Sequence, residues 1–165
     1  MHLTNKIKAL SYLSLIFLAL GCSPKLSQLV PASSIKNGNL TDYKYIYITP
    51  TTSLTSSSGT MINGQYYLAS KSVNPSDVIN GMLSKSGLIR MPELKQELSE
   101  ETLVVNYGES GRRNVGWGGY TIEVTIQFVS AKTNSLVCSC TAEGIGPTEA
   151  DDIREAITRC LEELT

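Results

Sequence analysis

The stretch that most restricts the fold is "YTIEVTIQFV", residues 120–129, in which apolar and polar residues alternate. A period of two is typical of a β-strand that buries one face and exposes the other to water. Such strands occur in antiparallel sheets that carry helices on a single side. The stretch therefore predicts a sheet with a packed face and a solvated face.

Further segments have strand character. "YKYIYI", residues 43–48, is aromatic and β-branched and predicts an interior strand, because both of its faces would be covered. "LIRM", "TLVVNYGES" and "LVCSCTAEG" predict three more, at residues 88–91, 102–110 and 136–144. The polar stretch from 49 to 73 predicts disorder at its Ser-rich start. Later in that stretch, Asn63-Gly64 indicates a hairpin turn, and Tyr66 and Tyr67 indicate a short strand or an exposed loop.

Two helices have clear start and stop signals. Asn74 and Pro75 suit the first positions of a helix that Gly87 ends, and Gly81 inside it predicts close packing or an interruption. A second helix, residues 149–164, starts at a capping pair of Thr148 and Asp151. Helical spacing also predicts a surface ion pair between Glu155 and Arg159. The apolar stripe of this helix comprises Ala150, Ile153, Ile157, Cys160, Leu161 and Leu164.

The order of these elements is β-α-β-β-β-β-α. It predicts an α+β two-layer sandwich, with a mixed sheet of four to five strands and two main helices packed on one face.

The first 21 residues have the composition of a secretory leader. Lys6 and Lys8 precede an apolar run from Ala9 to Leu20, which is too short for the roughly 20 residues that span a bilayer. Small residues close the run at Gly21-Cys22. We therefore expect a signal peptide over residues 1–21, a flexible tether over 22–40 and a single domain over 41–165.

The sequence "LALGC" at 18–22 resembles the lipobox of bacterial lipoproteins, although Ala19 stands where the lipobox usually has Leu. The resemblance implies that Cys22 carries a lipid anchor, and two or three acyl chains hold a protein stably on a membrane. Ser23 after the cysteine implies the outer membrane, on its periplasmic side. The alternative is an ordinary secreted protein with a free thiol near its start.

Charge and residue content exclude several functions. Removing Lys6 and Lys8 lowers the basic count from 14 to 12 against 15 acidic residues, a net charge of −3, which argues against a nucleic-acid partner. The single histidine, His2, lies in the leader. The mature chain therefore lacks a histidine base, a histidine nucleophile activator and a histidine metal ligand. We expect no enzyme activity, no metal and no cofactor.

Three cysteines remain after the anchor. Cys138 and Cys140 share a strand face, and the stripe of the last helix places Cys160 opposite them. In an oxidising compartment one pair could form a disulfide, leaving a third thiol. Buried free thiols are the alternative to this pairing, and a metal or redox site is the least favoured one, because no histidine supplies a fourth ligand and Cys-x-Cys on a strand lacks an activating helix dipole.

The Gly-rich stretch "GESGRRNVGWGGY", 108–120, is the best candidate for recognition. Arg112, Arg113 and Trp117 belong to residue types that dominate binding at interfaces. The alternative is a hairpin loop whose Trp117 covers the core. Together with Tyr66 and Tyr67, this stretch predicts docking of a cell-envelope protein or glycan.

The order of "KYIYI", the helix ending at Gly87, "TLVVNYG", the hairpin and the final "EGIGPTEADDIREAI" helix is similar to that of certain periplasmic lipoproteins. These are relatives of the curli-secretion lipoprotein and the TolB amino-terminal domain. No functional residue is carried over from that resemblance. Three functions remain: a non-enzymatic, lipid-anchored docking module; a small-molecule or glycan binder with a pocket between the two recognition segments; and, least favoured, a thiol or carboxylate enzyme.

Overall fold

The structure is a computed structural model that describes residues 29–116 and 119–164. In this part of the chain there are eight strands, two α-helices and two short 3-10 helices, Leu40–Asp42 and Gln96–Glu101. The strands are β1 (Ser33–Lys36), β2 (Tyr45–Ile48), β3 (Leu54–Ile62), β4 (Gln65–Val73), β5 (Ile89–Arg90), β6 (Thr102–Gly116), β7 (Gly119–Ser130) and β8 (Leu136–Gly144). The helices are α1 (Pro75–Lys85) and α2 (Glu149–Leu164).

Six strands form one mixed sheet in the order β1-β8-β7-β6-β2-β5, and β3 pairs only with β4 in a separate two-stranded sheet. β2 runs parallel to both of its neighbours, β5 and β6, whereas the β6–β7, β7–β8 and β8–β1 pairs are antiparallel. The α+β class is as predicted. The strand count of four to five is too low, because β1 and the β3–β4 pair were not counted.

The alternation in β7 matches its burial from Ile122 onward, whereas the first pair is reversed: Tyr120 is 37 % exposed and Thr121 is buried. Ile122, Val124, Ile126 and Phe128 are fully buried, and Glu123, Thr125 and Gln127 are more exposed. β2 is an interior strand with buried Ile46 and Ile48. The apolar face of the sheet, Ile79 and Leu83 of α1 and the stripe of α2 form one hydrophobic cluster. The core therefore lies between the sheet and the two helices.

α1 has the predicted ends. The side chain of Asn74 accepts a hydrogen bond from the Ser76 N–H, Pro75 is the first residue, and Gly87 has a φ of 89°. The expectation for Gly81 is wrong, because the helix continues through it and a Cβ there would meet nothing within 4 Å. Gly81 lies on the exposed side of α1.

α2 begins at the predicted capping pair, where the Asp151 N–H donates to Thr148 Oγ1. All six predicted stripe residues are buried. Arg159 donates to the carbonyls of Val30 and Glu143, so it does not serve as the expected partner of Glu155. The helix lies so close to β8 that a Cβ on Gly144 would be 1.9 Å from the carbonyl oxygen of Asp152.

Two segments differ from the prediction in their local structure. Residues 33–36, within the stretch predicted as tether, form edge strand β1 and pair with residues 138–141 of β8. The described part of the predicted tether thus belongs to the domain. The Ser-rich start of the 49–73 stretch is strand β3, so the prediction of disorder there is wrong.

Candidate functional site

The β3–β4 hairpin is the most exposed element of the described residues. Asn63 and Gly64 form its two-residue turn with φ values of 50° and 78°, as expected for Asn-Gly between two strands. Every residue from Gly59 to Ser72 is exposed. Residues 45–70 carry no charged side chain, so no ionised group in this segment opposes its contact with another apolar surface.

The end of the hairpin carries a patch of large apolar and aromatic side chains, which we call the tip: Met61 (71 % exposed), Ile62 (53 %), Tyr66 (64 %), Tyr67 (53 %) and Leu68 (68 %). The Tyr66 ring lies against Gly59, where a Cβ would be 1.8 Å from its hydroxyl oxygen. Large exposed apolar patches mark interaction sites more often than single exposed residues do. Of the tip residues, the sequence singled out Tyr66 and Tyr67.

The base of the hairpin is fixed to the start of α2. Lys71 Nζ is 2.8 Å from Asp151 Oδ1, and the Ala150 N–H donates to Ser56 Oγ at 2.9 Å. The hydrogen bond from Lys71 is the main reason that the pKa of the Asp151 carboxyl lies below its usual range. Both contacts involve the lower half of the hairpin, so the tip extends beyond the domain.

The Gly-rich stretch that was predicted as a loop is mostly strand. β6 continues to Gly116, with register shifts between Glu109 and Gly111 and between Asn114 and Gly116. Arg112 therefore lies on a strand, where it pairs with Glu149 and lies 5.1 Å from the centre of the Tyr120 ring. Trp117 lies outside the described residues.

Arg113 takes part in a structural network rather than pointing freely into solvent. Its Nε and Nη2 donate to the two carboxylate oxygens of Glu143 at 2.7 and 2.6 Å. Thr121 Oγ1 and the Val30 N–H also donate to this carboxylate. These bonds, led by that from Arg113, lower the pKa of Glu143 to about 2.

The hairpin, the paired ends of β6 and β7 and the start of the described chain lie at one end of the molecule. Gly116 and Gly119 are opposite each other at the end of β6–β7, and Gly144 is opposite Ile122 nearby. The contact of Val30 with Glu143 places the first described residues beside this end. The two sequence-predicted recognition segments and the first described residues of the predicted tether thus share an end of the fold, whereas the tether's later residues run along β8 to the opposite end.

The three cysteines that the structure describes form one disulfide and leave one free thiol. Cys140 of β8 and Cys160 of α2 are bonded, with 5.3 Å between their Cα atoms. Cys138 is a buried free thiol, and burial raises its pKa to about 11. A thiol with a raised pKa is a poor nucleophile at neutral pH.

A cleft of about 590 Å³ lies at the other end of β8, away from the hairpin. It is bounded by the β1 end and the residues after it, the last turn of α1 and the end of α2. This is not the pocket predicted from the sequence, which would lie between the two recognition segments. Nothing in the periodicity of the sequence indicates this cleft, because the cleft depends on how three separate elements meet.

Cys22, the proposed lipid attachment point, lies outside the described residues. No helix in residues 29–116 and 119–164 combines the length and apolar content needed to cross a membrane. In those same ranges no three His, Cys, Asp or Glu side chains are grouped as metal ligands would be.

Comparisons with known proteins give structural neighbours only. No protein-family model matches the sequence, and no curated protein matches it. Among solved structures, a PelC variant dodecamer from Paraburkholderia phytofirmans has a TM-score of 0.48 and 12 % identity, covering 81 % of this chain and 95 % of that chain. A second PelC dodecamer structure from the same organism has a TM-score of 0.48 and 11 % identity, covering 82 % and 96 %.

Proposed function

We propose that this chain is a lipid-anchored, non-enzymatic domain of the bacterial cell envelope that docks an envelope protein through the tip of its β3–β4 hairpin. The leader-like first 21 residues and the lipobox-like Cys22 support the anchor and the periplasmic face of the outer membrane. The observation that carries the docking role is the exposed tip, because its uncharged, apolar surface is costly to leave in water.

Two properties of the hairpin suit it to protein docking. In the described residues β3 pairs only with β4, so each strand has one free edge that a partner strand could extend. The five tip side chains would then be removed from water, at about 25 cal/mol for each Å² of apolar surface buried. An isolated two-stranded sheet is only marginally stable, so a partner would also stabilise the hairpin itself.

The two arginines contribute unequally to this proposal. Arg113 is committed to Glu143 inside the domain, so its substitution would disturb the fold and could not test binding. The side chain of Arg112 remains 53 % exposed beside the hairpin base, and it could contact a partner at the rim. We therefore place the centre of the docking surface at the tip, and Arg112 at its margin.

The docking role is tested by crosslinking in intact cells. A photoreactive residue at position 67 should capture a defined protein, and Met61→Ser with Leu68→Ser should remove that band. Ile89→Ser is the matched control, because Ile89 is 49 % exposed but lies on β5, at the far edge of the main sheet. A band that survives the double substitution, or that Ile89→Ser removes equally, contradicts the proposal. A protease-resistant adduct would instead indicate a glycan.

The anchor is tested separately. Mass spectrometry of the protein from membranes should find diacylglycerol and an acyl chain on Cys22, and Cys22→Ala should release the protein from the membrane fraction. An unmodified Cys22 in the native protein would contradict the anchor while leaving the docking surface untouched.

A further inference from the structure

The cleft beside the end of α1 has the size and the lining of a ligand site. Its volume of about 590 Å³ falls within the range of about 300–1,000 Å³ that is usual for small-molecule sites. Five large carbon-rich side chains line it: Leu40, Tyr43, Leu83, Leu88 and Leu164. They come from three separate parts of the chain, so the site exists only in the folded domain.

A single charged side chain, that of Lys36, lines the cleft. The other polar lining residues, such as Asn39, Thr41 and Ser86, are neutral. No ion pair to Lys36 occurs among the described residues, in contrast to Lys71 and Lys132. The cleft thus combines an apolar interior with one cation that has no ion-pair partner within residues 29–116 and 119–164.

The register of the sheet locates that cation. Lys36 is directly opposite Cys138 in the β1–β8 pair, and residues opposite each other in a sheet point to the same face. Cys138 is 1 % exposed and belongs to the core, so the lysine stem extends along the packed side of the sheet. Its ammonium group reaches solvent at the margin of the cleft, because a lysine side chain buries its stem and keeps its charge in water.

We propose that this cleft binds a single-chain anionic amphiphile, with a long alkyl tail against the leucines and a carboxylate on Lys36. This site is separate from the hairpin tip and does not depend on the docking function. A neutral alkyl ligand would leave the Lys36 cation unused, and a cationic one would be repelled by it. An inward-facing lysine also discourages strand addition at the edge of a sheet, so the test must separate ligand binding from that role.

The first experiment measures binding by calorimetry, below the micelle concentration of each ligand. Residues 22–165 carrying Cys22→Ser are used, so that no acyl chain competes for the cleft. Dodecanoate should bind, and decanoate should bind more weakly by about fourfold for each methylene removed. Dodecyltrimethylammonium, which has the same tail and the opposite charge, should not bind.

Substitutions then connect binding to the cleft. Lys36→Met keeps an unbranched stem and removes the charge, so dodecanoate should bind about tenfold more weakly while dodecanol is unaffected. Lys132→Met is the matched control, because Lys132 lies outside the cleft and pairs with Glu100. Leu40 is half-buried and lines the cleft, so the larger side chain of Leu40→Trp should occupy the ligand's space and abolish binding of both dodecanoate and dodecanol.

Cys138 provides a readout that a purely structural role of Lys36 would not change. Cys138 borders the cleft but is only 1 % exposed, so iodoacetamide reaches its thiol only when this part of the fold opens. Bound dodecanoate should slow that alkylation at least fivefold, as measured at alkaline pH on the peptide that contains Cys138. Lys36→Met should lose this protection at the same ligand concentration. Equal binding of the anionic and cationic amphiphiles, or an alkylation rate that dodecanoate does not change, would overturn the proposal.

Discussion

Glu143 joins three parts of the chain at one buried carboxylate. Arg113 of β6, Thr121 of β7 and the Val30 N–H all donate to it. Its side chain is 6 % exposed, whereas that of Arg113 is 39 % exposed. Because water screens the arginine but not the carboxylate, hydrogen bonding rather than simple charge attraction dominates this contact.

The substitution Glu143→Gln tests this network. It keeps the shape of the side chain but turns one acceptor into a donor that faces the guanidinium group. We expect the free energy of unfolding at pH 7 to fall by about 2 kcal/mol, as for a lost hydrogen bond to a charged group. Urea unfolding measures the change. Glu123→Gln is the control, because Glu123 accepts a hydrogen bond from Ser110 at an exposed position rather than from a guanidinium group.

The same network predicts the direction of a pH effect. The pKa of Glu143 is lowered to about 2 in the folded chain, so the unfolded chain binds the proton first as pH falls. The stabilisation is complete above the ordinary value of 4.5 and is lost between there and about pH 2. The difference between wild type and Glu143→Gln should therefore shrink over that range. A difference that stays constant with pH would contradict this account.

Two glycines predict opposite effects of one added methyl group. Gly144→Ala would place a Cβ 1.9 Å from a carbonyl oxygen of α2, and we expect a loss of about 3 kcal/mol from this overpacking. Gly81→Ala meets open space in the exposed middle of α1 and should add about 1 kcal/mol through helix propensity. Thermal unfolding of both variants gives the comparison. A stable Gly144→Ala variant would mean that α2 and β8 can separate at little cost.

At the scale of elements, α2 is held to the sheet by both packing and a covalent bond. Cys140 and Cys160 are separated by 20 residues, and closing a loop of that length stabilises a fold by about 3 kcal/mol. We expect Cys140→Ala with Cys160→Ala to lower the stability by that amount. A reductant should destabilise the wild-type chain and leave the double variant unchanged, and an unaffected wild type would contradict the prediction.

Elements with strong local signals could be predicted from the sequence. Asn74 and Gly87 bound α1, and the stripe from Ala150 to Leu164 gives α2 with the ends that the structure has. Segments without such signals could not. β1 has only Ile35 as a large apolar residue and is ordered by pairing with β8, and the Ser-rich β3 is ordered by pairing with β4.

Dependence on long-range pairing also limited the prediction of the candidate site. Glycines in residues 108–119 indicate a loop, yet β6 needs only its backbone groups to pair with β7 through two register shifts. Arg112 forms an ion pair with Glu149, and Arg113 forms one with Glu143; both carboxylates lie at least 30 residues further along the chain. Residue type marked these arginines as candidates for recognition, but only the fold distinguishes a buried structural pair from an exposed binding group.

At the scale of the whole molecule, the hairpin gathers uncharged, exposed apolar side chains in one place. Residues 45–70 have no charged side chain, and within them all five tip side chains are more than half exposed. The start of the described chain lies at the same end as this hairpin, through the contact of Val30 with Glu143. A tether that begins at Cys22 would therefore keep the tip close to the surface to which it is anchored, where an envelope partner would meet it.

This arrangement predicts that the hairpin can be removed without loss of the fold. Replacing residues 56–71 by Asn-Gly keeps the Thr55–Ser72 pair and forms a two-residue turn. Only Leu54 and Val73 of the hairpin contact the core, and both are retained. The variant loses the exposed Lys71–Asp151 pair and the bond to Ser56, so we expect it to unfold cooperatively with about 1–2 kcal/mol less stability.

The shortened chain also separates docking from folding in one measurement. If the tip is the docking surface, the variant should remain in the membrane fraction through its anchor, keep its thermal transition and lose its crosslinked partner. If the hairpin is instead a structural part of the domain, the thermal transition itself should broaden or disappear, because the start of α2 would lose the contacts that hold it. If a folded variant still captures the partner, the docking surface lies instead near the ends of β6 and β7, where Arg112 is exposed beside Tyr120.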